Sequence, residues 1–516
     1  MLKSYDVCIV GAGIAGSLLA ERLARGGAKV ALIEAGSRFS LTDRLTNLQR
    51  SWITGTPLWP WEMRGRDDYV DNSKDALGYE YPLNQLRVKG VGGSTLHWGG
   101  LAQRFRESDF ETYTRYGYAA DWPITYTELE PYYVQAEHEI GVSGEQNPDD
   151  PPRSAPLPMP AFPPSYIGKL WIPVLERQGV VANFTSEARN SIPYRGRSQC
   201  VAYAMCRTCP SGARYSADFH ADLAIRTGHC DLFERTVARL LEVDRAGHVK
   251  SLQVTDIDGR SREIQARFFV VAAHAIESAR LLQLSGIDRY LDSIGRYLME
   301  HWYLGFGGMQ EHQLYPGRIG FDTLESVHFY DGKERFRRGA IKLEFGSGHN
   351  EPIAEAMQQG LAGRQVQKLD CEQFGYRLSL GAEVEHAPNP ESRVTLHTQK
   401  KDMFGDPVPV IRFVLSEFDR ATHDSAARIV QDLLTAKGVK DIRPGQQFGP
   451  GGHHMGTCRM GNDPATSVTD RNAAVHGFDN LFCAGSSLFT TGGARQPTLT
   501  IAALSLRLAE HLSTLG

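Results

Sequence analysis

The chain has 516 residues, and its 56 lysines and arginines against 60 aspartates and glutamates give a formal net charge of −4. So small a charge on so long a chain provides no electrostatic case for a nucleic acid or an anionic membrane as a partner. No apolar run is long enough for a transmembrane helix, and the first residues lack the pattern of a signal peptide, which predicts a cytoplasmic protein. Eight cysteines are too few for a disulfide scaffold.

The first 36 residues predict a strand, a glycine turn, a helix and a second strand. Residues 6–10 form a nearly continuous apolar run, which is typical of a strand buried on both faces. The sequence GAGIAG at 11–16 follows, and residues 17–25 then carry leucines at helical spacing. A second apolar run at 29–33 ends at Glu34. In this context the glycine motif, which is weak by itself, predicts a dinucleotide-binding unit.

Each glycine of this motif, and the acidic residue that ends the second strand, has a physical role in such a unit. Gly11 permits the tight turn, Gly13 lets the backbone approach a pyrophosphate, and Gly16 lets the helix pack close to the sheet. The helix N-terminus offers N–H groups and the positive end of a dipole to the phosphates. Glu34 can accept hydrogen bonds from ribose hydroxyls, which argues against the 2′-phosphate of NADP and leaves NAD and FAD open.

The rest of the chain carries fewer local signals. Residues 36–84 lack sustained periodicity, so we expect irregular structure there, and residues 145–165 are rich in proline, which predicts an extended, linker-like passage. Residues 291–445 mix strand and helix patterns without a repeat. Alternation predicts that strands at 232–243 and 249–257 pair with each other, and a continuous apolar run predicts a buried strand at 268–273. Helical periodicity predicts helices at 277–284 and 497–512.

Four separated stretches occur in an order typical of one enzyme family. They are residues 11–34, GVGGSTLHWGG at 90–100, FVVAAHAIESARLL at 269–282, and 453–501, which contains HHMGTCRMG and CAGSSLFTTGGARQPTLTI. Together they resemble the glucose–methanol–choline (GMC) family of flavoprotein oxidoreductases. Within that family the likeness is to bacterial sugar and sugar-acid dehydrogenase large subunits and to pyranose oxidases.

The resemblance implies an α/β fold with two domains. One is a Rossmann-like FAD-binding domain built from discontinuous segments, and the other is an α+β substrate domain with an antiparallel sheet. We assign residues 1–104, 190–290 and 446–516 to the FAD-binding domain, and residues 105–189 and 291–445 to the substrate-binding domain.

The activity implied by the resemblance is FAD-dependent oxidation of a secondary alcohol of a sugar or glycoside to a ketone. The electrons then pass to an acceptor other than NAD, and a dehydrogenase with a small subunit and a cytochrome as partners is favoured. The alternatives are an oxygen-using pyranose or glycoside oxidase, a flavin-bearing lyase of the same fold, and a non-catalytic nucleotide-binding module. Relatives with a signal-bearing small subunit are exported as a complex, so a periplasmic location is the alternative to a cytoplasmic one.

The catalytic residues follow from the same resemblance. His453 stands in the family's His-x-x-Gly-Thr context, and a neutral imidazole there can take the hydroxyl proton of the substrate. Gln496 stands where the family has a histidine or asparagine that hydrogen-bonds the substrate oxygen, and its extra methylene displaces the amide donor. His454, beside the base, and His274, where many relatives have glycine, receive no role.

The second glycine cluster and the C-terminal segment supply the predicted flavin contacts. His97 matches the position through which pyranose oxidases tether their flavin, so the resemblance favours a covalent bond over simple packing near the ring. Thr498 begins the last helix, whose N-terminus would stabilise negative charge on the flavin. The further predicted contacts are Gly92, Gly93, Ser94, Trp98, Gly485 and Ser486.

Three cysteines lie within ten residues, at Cys200, Cys206 and Cys209. They resemble the cluster that holds a three-iron, four-sulfur centre in some sugar dehydrogenase large subunits, although the last gap is one residue shorter. Three thiolates at short separations can ligate such a centre. That the three thiols bind no metal and are purely structural is an equally good interpretation. Zinc is less expected because no fourth ligand is evident.

Overall fold

A computed structural model describes residues 4–54, 59, 68–201, 208–314, 323–345, 355–357, 359–372, 374–445 and 447–515. The helices in these ranges are α1 Ile14–Arg25, α2 Leu41–Thr54, α3 Lys74–Leu77, α4 Leu83–Leu86, α5 Glu107–Phe110, α6 Thr112–Tyr116, α7 Tyr126–Ile140, α8 Tyr166–Gln178, α9 Asp218–Arg226, α10 His274–Leu284, α11 Arg364–Glu372, α12 Glu417–Lys437 and α13 Thr498–Thr514.

Within the same ranges the strands fall into three sheets. In chain order they are β1 Ser4–Val10, β2 Val30–Ile33, β3 Val70–Asp71, β4 Asn183–Phe184, β5 Cys230–Phe233, β6 Thr236–Val243, β7 Val249–Asp256, β8 Ser261–Val271, β9 His301–Met309, β10 Leu324–Ser326, β11 Ile341–Glu344, β12 Arg377–Glu385, β13 Arg393–Lys401, β14 Pro407–Arg412, β15 Lys440–Pro444, β16 Gly449–Pro450 and β17 Leu481–Cys483.

The first sheet has the parallel core that the glycine motif requires. Its strand order is β5-β2-β1-β8, with β17 beside β8, and all these pairs are parallel. The N-terminal half of β8 continues antiparallel to β7, and β7 pairs with β6. Helix α13 packs against both α1 and α7, and the apolar faces of the three helices belong to the same core as this sheet. The strands and helices expected at both ends of the chain are confirmed.

The second sheet is antiparallel and comes from the middle of the chain. Its order is β15-β9-β12-β11-β10-β4, with β16 beside β9. Helix α12 packs on β9 and β12 and encloses a second core. A small third sheet joins β13, β14 and β3. No helix in the described ranges combines the length and the apolar character that a membrane crossing needs.

The expectation of irregular structure across residues 36–84 is wrong for part of that range. Helix α2 begins there because Ser40 and Asp43 cap it reciprocally: the Asp43 N–H donates to Ser40 Oγ at 3.2 Å, and the Ser40 N–H donates to Asp43 Oδ2 at 2.7 Å. This Ser-x-x-Asp pattern is a start signal for a helix. It was readable in the sequence, whereas the polar composition hid the helical period.

Candidate active site

A cavity of about 970 Å³ opens at the carboxyl ends of the parallel strands. Residues that end or follow β1, β2, β8 and β17 line one side of it, as is usual for ligand sites in such sheets. The other side is lined by Tyr303, Glu344 and Glu383, from strands β9, β11 and β12 of the antiparallel sheet. Its volume lies at the upper end of the usual range for ligand pockets. The cavity therefore spans both parts of the fold.

The first glycine turn borders this cavity. Gly11 has φ +106°, and a Cβ there would lie 2.5 Å from the Ala272 carbonyl oxygen. A Cβ on Gly16 would lie 1.9 Å from the Gly11 carbonyl oxygen, so the close packing of α1 on the turn requires glycine at this position. Gly16 itself does not line the cavity. Gly13 lines the cavity at the N-terminus of α1, which has no side-chain cap. An anionic group can therefore reach the helix N-terminus.

Glu34 faces the same end of the cavity. Its carboxylate accepts the N–H groups of Ala12 and Gly36, both at 2.9 Å. Burial raises the pKa of Glu34 although these N–H donors favour the ionised form. A ribose hydroxyl can add to the remaining lone pairs. The uncapped helix end, the glycine turn and this carboxylate together fit the adenosine and pyrophosphate parts of FAD.

The second glycine cluster packs directly on the first. The Gly92 N–H donates to the Ala12 carbonyl at 2.9 Å, and a Cβ on Gly93 would lie 2.9 Å from the Gly13 Cα. Trp98 donates from Nε1 to the Tyr215 carbonyl at 2.8 Å. Gly92 does not line the cavity, whereas the other predicted contacts of this cluster, Gly93, Ser94, His97 and Trp98, do. The covalent bond at His97 stays a prediction.

The C-terminal segment closes the cavity beside α1. Gly485 has φ +95°, and a Cβ there would be 3.8 Å from the Ala15 Cβ. Ser486 donates from Oγ to the His454 carbonyl at 2.6 Å. Both residues line the cavity, as does Thr498 at the N-terminus of α13. These three predicted contacts thus lie on the same cavity as the glycine turn.

His453 lies on the opposite side, held by a carboxylate and a second histidine. Its Nδ1 is 3.1 Å from Glu383 Oε1 and 3.0 Å from His301 Nδ1. Its backbone N–H donates to Glu300 Oε1 at 2.6 Å. His453 and Glu383 line the cavity, and His301 lies buried behind them.

The hydrogen-bond network assigns the protons of the two rings. His301 Nε2 is 3.1 Å from the Gly492 carbonyl, which can only accept, so His301 is protonated at Nε2 and has its lone pair at Nδ1. His453 Nδ1 therefore carries the proton that it shares between His301 Nδ1 and Glu383 Oε1. Nε2 of His453 is left with a lone pair and has no hydrogen bond to the described residues. This is the arrangement of a general base oriented by a carboxylate.

The charges around the base favour its work as a proton acceptor. Burial by itself lowers the pKa of His453, but the Glu383 carboxylate outweighs burial and holds the pKa above its ordinary value. Burial opposes ionisation of Glu383, yet Lys342 and His453 hold the pKa of Glu383 well below its usual range. Burial lowers the pKa of His301 to about 3, so this ring stays neutral.

Gln496 lies at the same end of the cavity, with its amide already engaged. Its Oε1 accepts from Lys342 Nζ at 2.6 Å. Its Nε2 donates to Glu383 Oε2 at 2.7 Å and to Glu344 Oε1 at 3.0 Å. Lys342 Nζ in turn lies 2.8 Å from both Glu344 Oε1 and Glu383 Oε2. The predicted donation from Gln496 to a substrate oxygen would require one of these bonds to break.

The two histidines without an assigned role also line the cavity and are joined by hydrogen bonds into one chain. His274 Nε2 is 3.1 Å from His454 Nδ1, and His454 Nε2 is 2.8 Å from the Tyr81 hydroxyl, which also contacts Glu300 Oε2. Burial lowers the pKa of His274 to about 3 and the pKa of His454 well below its usual range. Both rings are therefore neutral, and the chain supports the Glu300 carboxylate that holds the His453 backbone.

Two of the three clustered cysteines, Cys200 and Cys209, lie behind the cavity wall. Arg189 and Arg214 line the cavity; Arg189 Nη1 is 3.7 Å from the Cys200 Sγ, and the Arg214 N–H donates to the Cys209 Sγ at 3.4 Å. Cys206 lies outside the described residues, so the iron–sulfur centre stays a prediction.

Several residues of the site were missed in the sequence. They are Tyr81, Glu300, His301, Lys342, Glu344 and Glu383. One signal was readable: Lys342 and Glu383 interrupt short apolar runs, and an ionisable residue in a buried strand requires a partner. The identity of that partner could not be read, because it lies on another strand.

Known proteins resemble this chain over its whole length. The GMC oxidoreductase model matches residues 388–505, and the FAD dependent oxidoreductase model matches residues 6–138. The fructose dehydrogenase large subunit of Gluconobacter japonicus is 31% identical, over 99% of this chain and 98% of that protein. The 6‴-hydroxyparomomycin C oxidase of Streptomyces lividus is 30% identical, over 99% and 92%.

A solved structure confirms the predicted fold class. The crystal structure of pyridoxine 4-oxidase from Mesorbium loti aligns with a TM-score of 0.68 and 20% identity, over 98% of this chain and 99% of that one. At 20% identity this similarity shows the fold alone.

Proposed function

Because the chain belongs to the GMC oxidoreductase family, we propose that it oxidises a secondary alcohol of a sugar or glycoside to a ketone. The family resemblance predicted from the four stretches is confirmed, and the chain is an FAD-dependent oxidoreductase that acts on alcohol groups. The name of one relative, a fructose dehydrogenase large subunit, supports a sugar as the substrate. The name of another, a 6‴-hydroxyparomomycin C oxidase, is consistent with a glycoside.

The observation that carries the proposal concerns His453 on the cavity wall: Glu383 fixes its Nδ1 proton, and its Nε2 has no hydrogen bond to any residue that the structure describes. An alcohol placed against this nitrogen can transfer its hydroxyl proton there while the carbonyl double bond forms. FAD, when bound, accepts the hydrogen of the carbinol carbon together with its two electrons. Glu383 stabilises the imidazolium that results, and Glu300 fixes the loop that carries the base.

A panel of monosaccharides and glycosides tests this proposal. Mixed anaerobically with the flavin-loaded protein, at least one of them should abolish the visible absorbance of the flavin and yield a ketone. A panel member that is converted while the absorbance stays constant would identify a lyase and overturn the proposal. Protein that stays colourless after purification with added FAD would overturn it as well.

For the electron acceptor, we propose a dehydrogenase that passes electrons to a small subunit and a cytochrome. Two arginines of the cavity wall contact Cys200 and Cys209, so an iron centre on these thiols would lie next to the flavin cavity. The large-subunit name of the fructose dehydrogenase relative supports a multisubunit enzyme.

Iron analysis and EPR of anaerobically purified protein test this second proposal. We expect iron in the parent protein, its loss in Cys209→Ser, and no change in Cys371→Ser, which alters an exposed cysteine elsewhere in the chain. Iron-free parent protein that produces hydrogen peroxide with its sugar would instead identify the oxidase.

A further inference from the structure

The cavity wall next to His453 presents a negative charge whose balancing cation is inaccessible. Lys342 is 0% exposed and does not line the cavity. Its ammonium has three hydrogen-bond donors, and they are directed at Glu344, Glu383 and Gln496, at 2.8, 2.8 and 2.6 Å. One cation thus serves two carboxylates, and the three charges sum to −1.

The hydrogen-bond donors of this wall are also engaged. Both amide hydrogens of Gln496 point to carboxylates, one to Glu344 and one to Glu383. Glu344 uses only Oε1 for these contacts and for Lys342, and its Oε2 has no hydrogen bond to the described residues. Glu344 is partly exposed, with 15% of its side chain accessible, and it lines the cavity. A ligand therefore meets an accepting, negatively charged oxygen at this position.

The other cations of the cavity already have partners. Three of them, Arg87, Lys89 and Arg280, form ion pairs with Glu277. On the wall near the cysteines, Arg189 lies 3.5 Å from Glu187, and Arg214 donates to the Leu96 carbonyl at 3.1 Å. A substrate carboxylate could bind one of these cations only in competition with the partner that the cation already has.

We propose that Glu344 makes the site selective for uncharged or cationic polyols and excludes sugar acids. Its Oε2 accepts a hydrogen bond from a hydroxyl or ammonium group of the substrate, and its charge repels a carboxylate in the same place. This inference rests on the proposed function, because it concerns the substrate that His453 would deprotonate. Like charges brought together in a low-dielectric site are strongly unfavourable, so the selectivity should reach about 100-fold in kcat/KM.

Matched substrates test the selectivity. The sugar that most rapidly abolishes the flavin absorbance is compared with its uronic acid, for example glucose with glucuronate or galactose with galacturonate, and with the corresponding amino sugar. The parent enzyme should prefer the neutral sugar over the acid by about 100-fold, mainly through KM, and should accept the amino sugar at least as well. Equal use of the sugar and its acid would overturn the inference while leaving the proposed function intact.

The variant Glu344→Gln assigns the effect to one residue. It keeps the size of the side chain and removes the charge, so the preference for the neutral sugar should fall about tenfold or more. The matched control is Glu242→Gln: this carboxylate accepts from Gln253 at 2.9 Å between strands β6 and β7 and lies outside the cavity lining. Its variant should keep the parent preference. A preference that persists in Glu344→Gln would overturn the assignment, whereas a panel in which no sugar reacts would overturn the proposed function itself.

Discussion

Replacement of His453 by glutamine should slow anaerobic oxidation of the sugar about 1,000-fold without loss of FAD. The variant removes the only nitrogen lone pair that the Glu383–His453 pair presents to the cavity, and general-base catalysis is worth about 10²- to 10⁴-fold. The rate at which the flavin absorbance disappears in a stopped-flow instrument measures this step directly. The FAD content should stay near the parent value, because the glycine turn and Glu34 lie on the opposite side of the cavity.

The control for this variant is His476→Gln. His476 contacts Ser467 Oγ at 3.0 Å and does not line the cavity, so its replacement should leave the rate unchanged. A His453→Gln protein that retains FAD and oxidises the sugar at more than about one tenth of the parent rate would show that another group takes the proton. Neutral His454, which also lines the cavity, would then be the next residue to replace.

The nucleotide half of the site was readable because its chemistry is local. The Gly11 turn, the start of α1 and Glu34 are close in sequence, and one short stretch determines the strand, the turn and the helix. The second glycine cluster could be placed beside the first only by resemblance. The structure gives the physical link, which is a hydrogen bond from Gly92 to Ala12. The domain boundaries stay a prediction: β16 pairs with β9 of the antiparallel sheet and β3 pairs with β14, although both strands lie in segments assigned to the FAD-binding domain.

The catalytic half was only partly readable because sheet register creates it. Lys342 on β11 is paired directly with Glu383 on β12, so their side chains share one face of the sheet. Glu383 is paired on its other side with Tyr303 on β9, which brings β9 and His301 to the same place. These residues are separated by tens of positions in the sequence. No short turn links strands so far apart in the sequence, so their register depends on which residues face the core, and this becomes visible only in the folded sheet.

The variant Glu383→Gln should lower kcat/KM about 100-fold near neutral pH and move the acidic limb of its pH profile to lower pH. Activity requires neutral His453, so the rate rises with pH as His453 loses its proton. The Glu383 carboxylate holds the pKa of His453 above its ordinary value, and a neutral amide in its place would let burial lower that pKa. The loss in rate has a separate cause: the Nδ1 proton loses its charged acceptor, and the base is less firmly oriented. The profile is measured as kcat/KM from about pH 5 to pH 9.

Glu344→Gln provides the matched control for this shift. Glu344 is bonded to the same Lys342 ammonium as Glu383, but His453 contacts Glu383 and not Glu344. Removing the Glu344 charge should therefore leave the acidic limb with the neutral sugar where it is in the parent enzyme. An unchanged limb in Glu383→Gln, or an equal shift in both variants, would mean that the limb does not report the His453–Glu383 pair. A shift confined to Glu383→Gln, with FAD content retained, would identify His453 as the titrating base, because a purely structural defect would lower the rate at every pH without moving the limb.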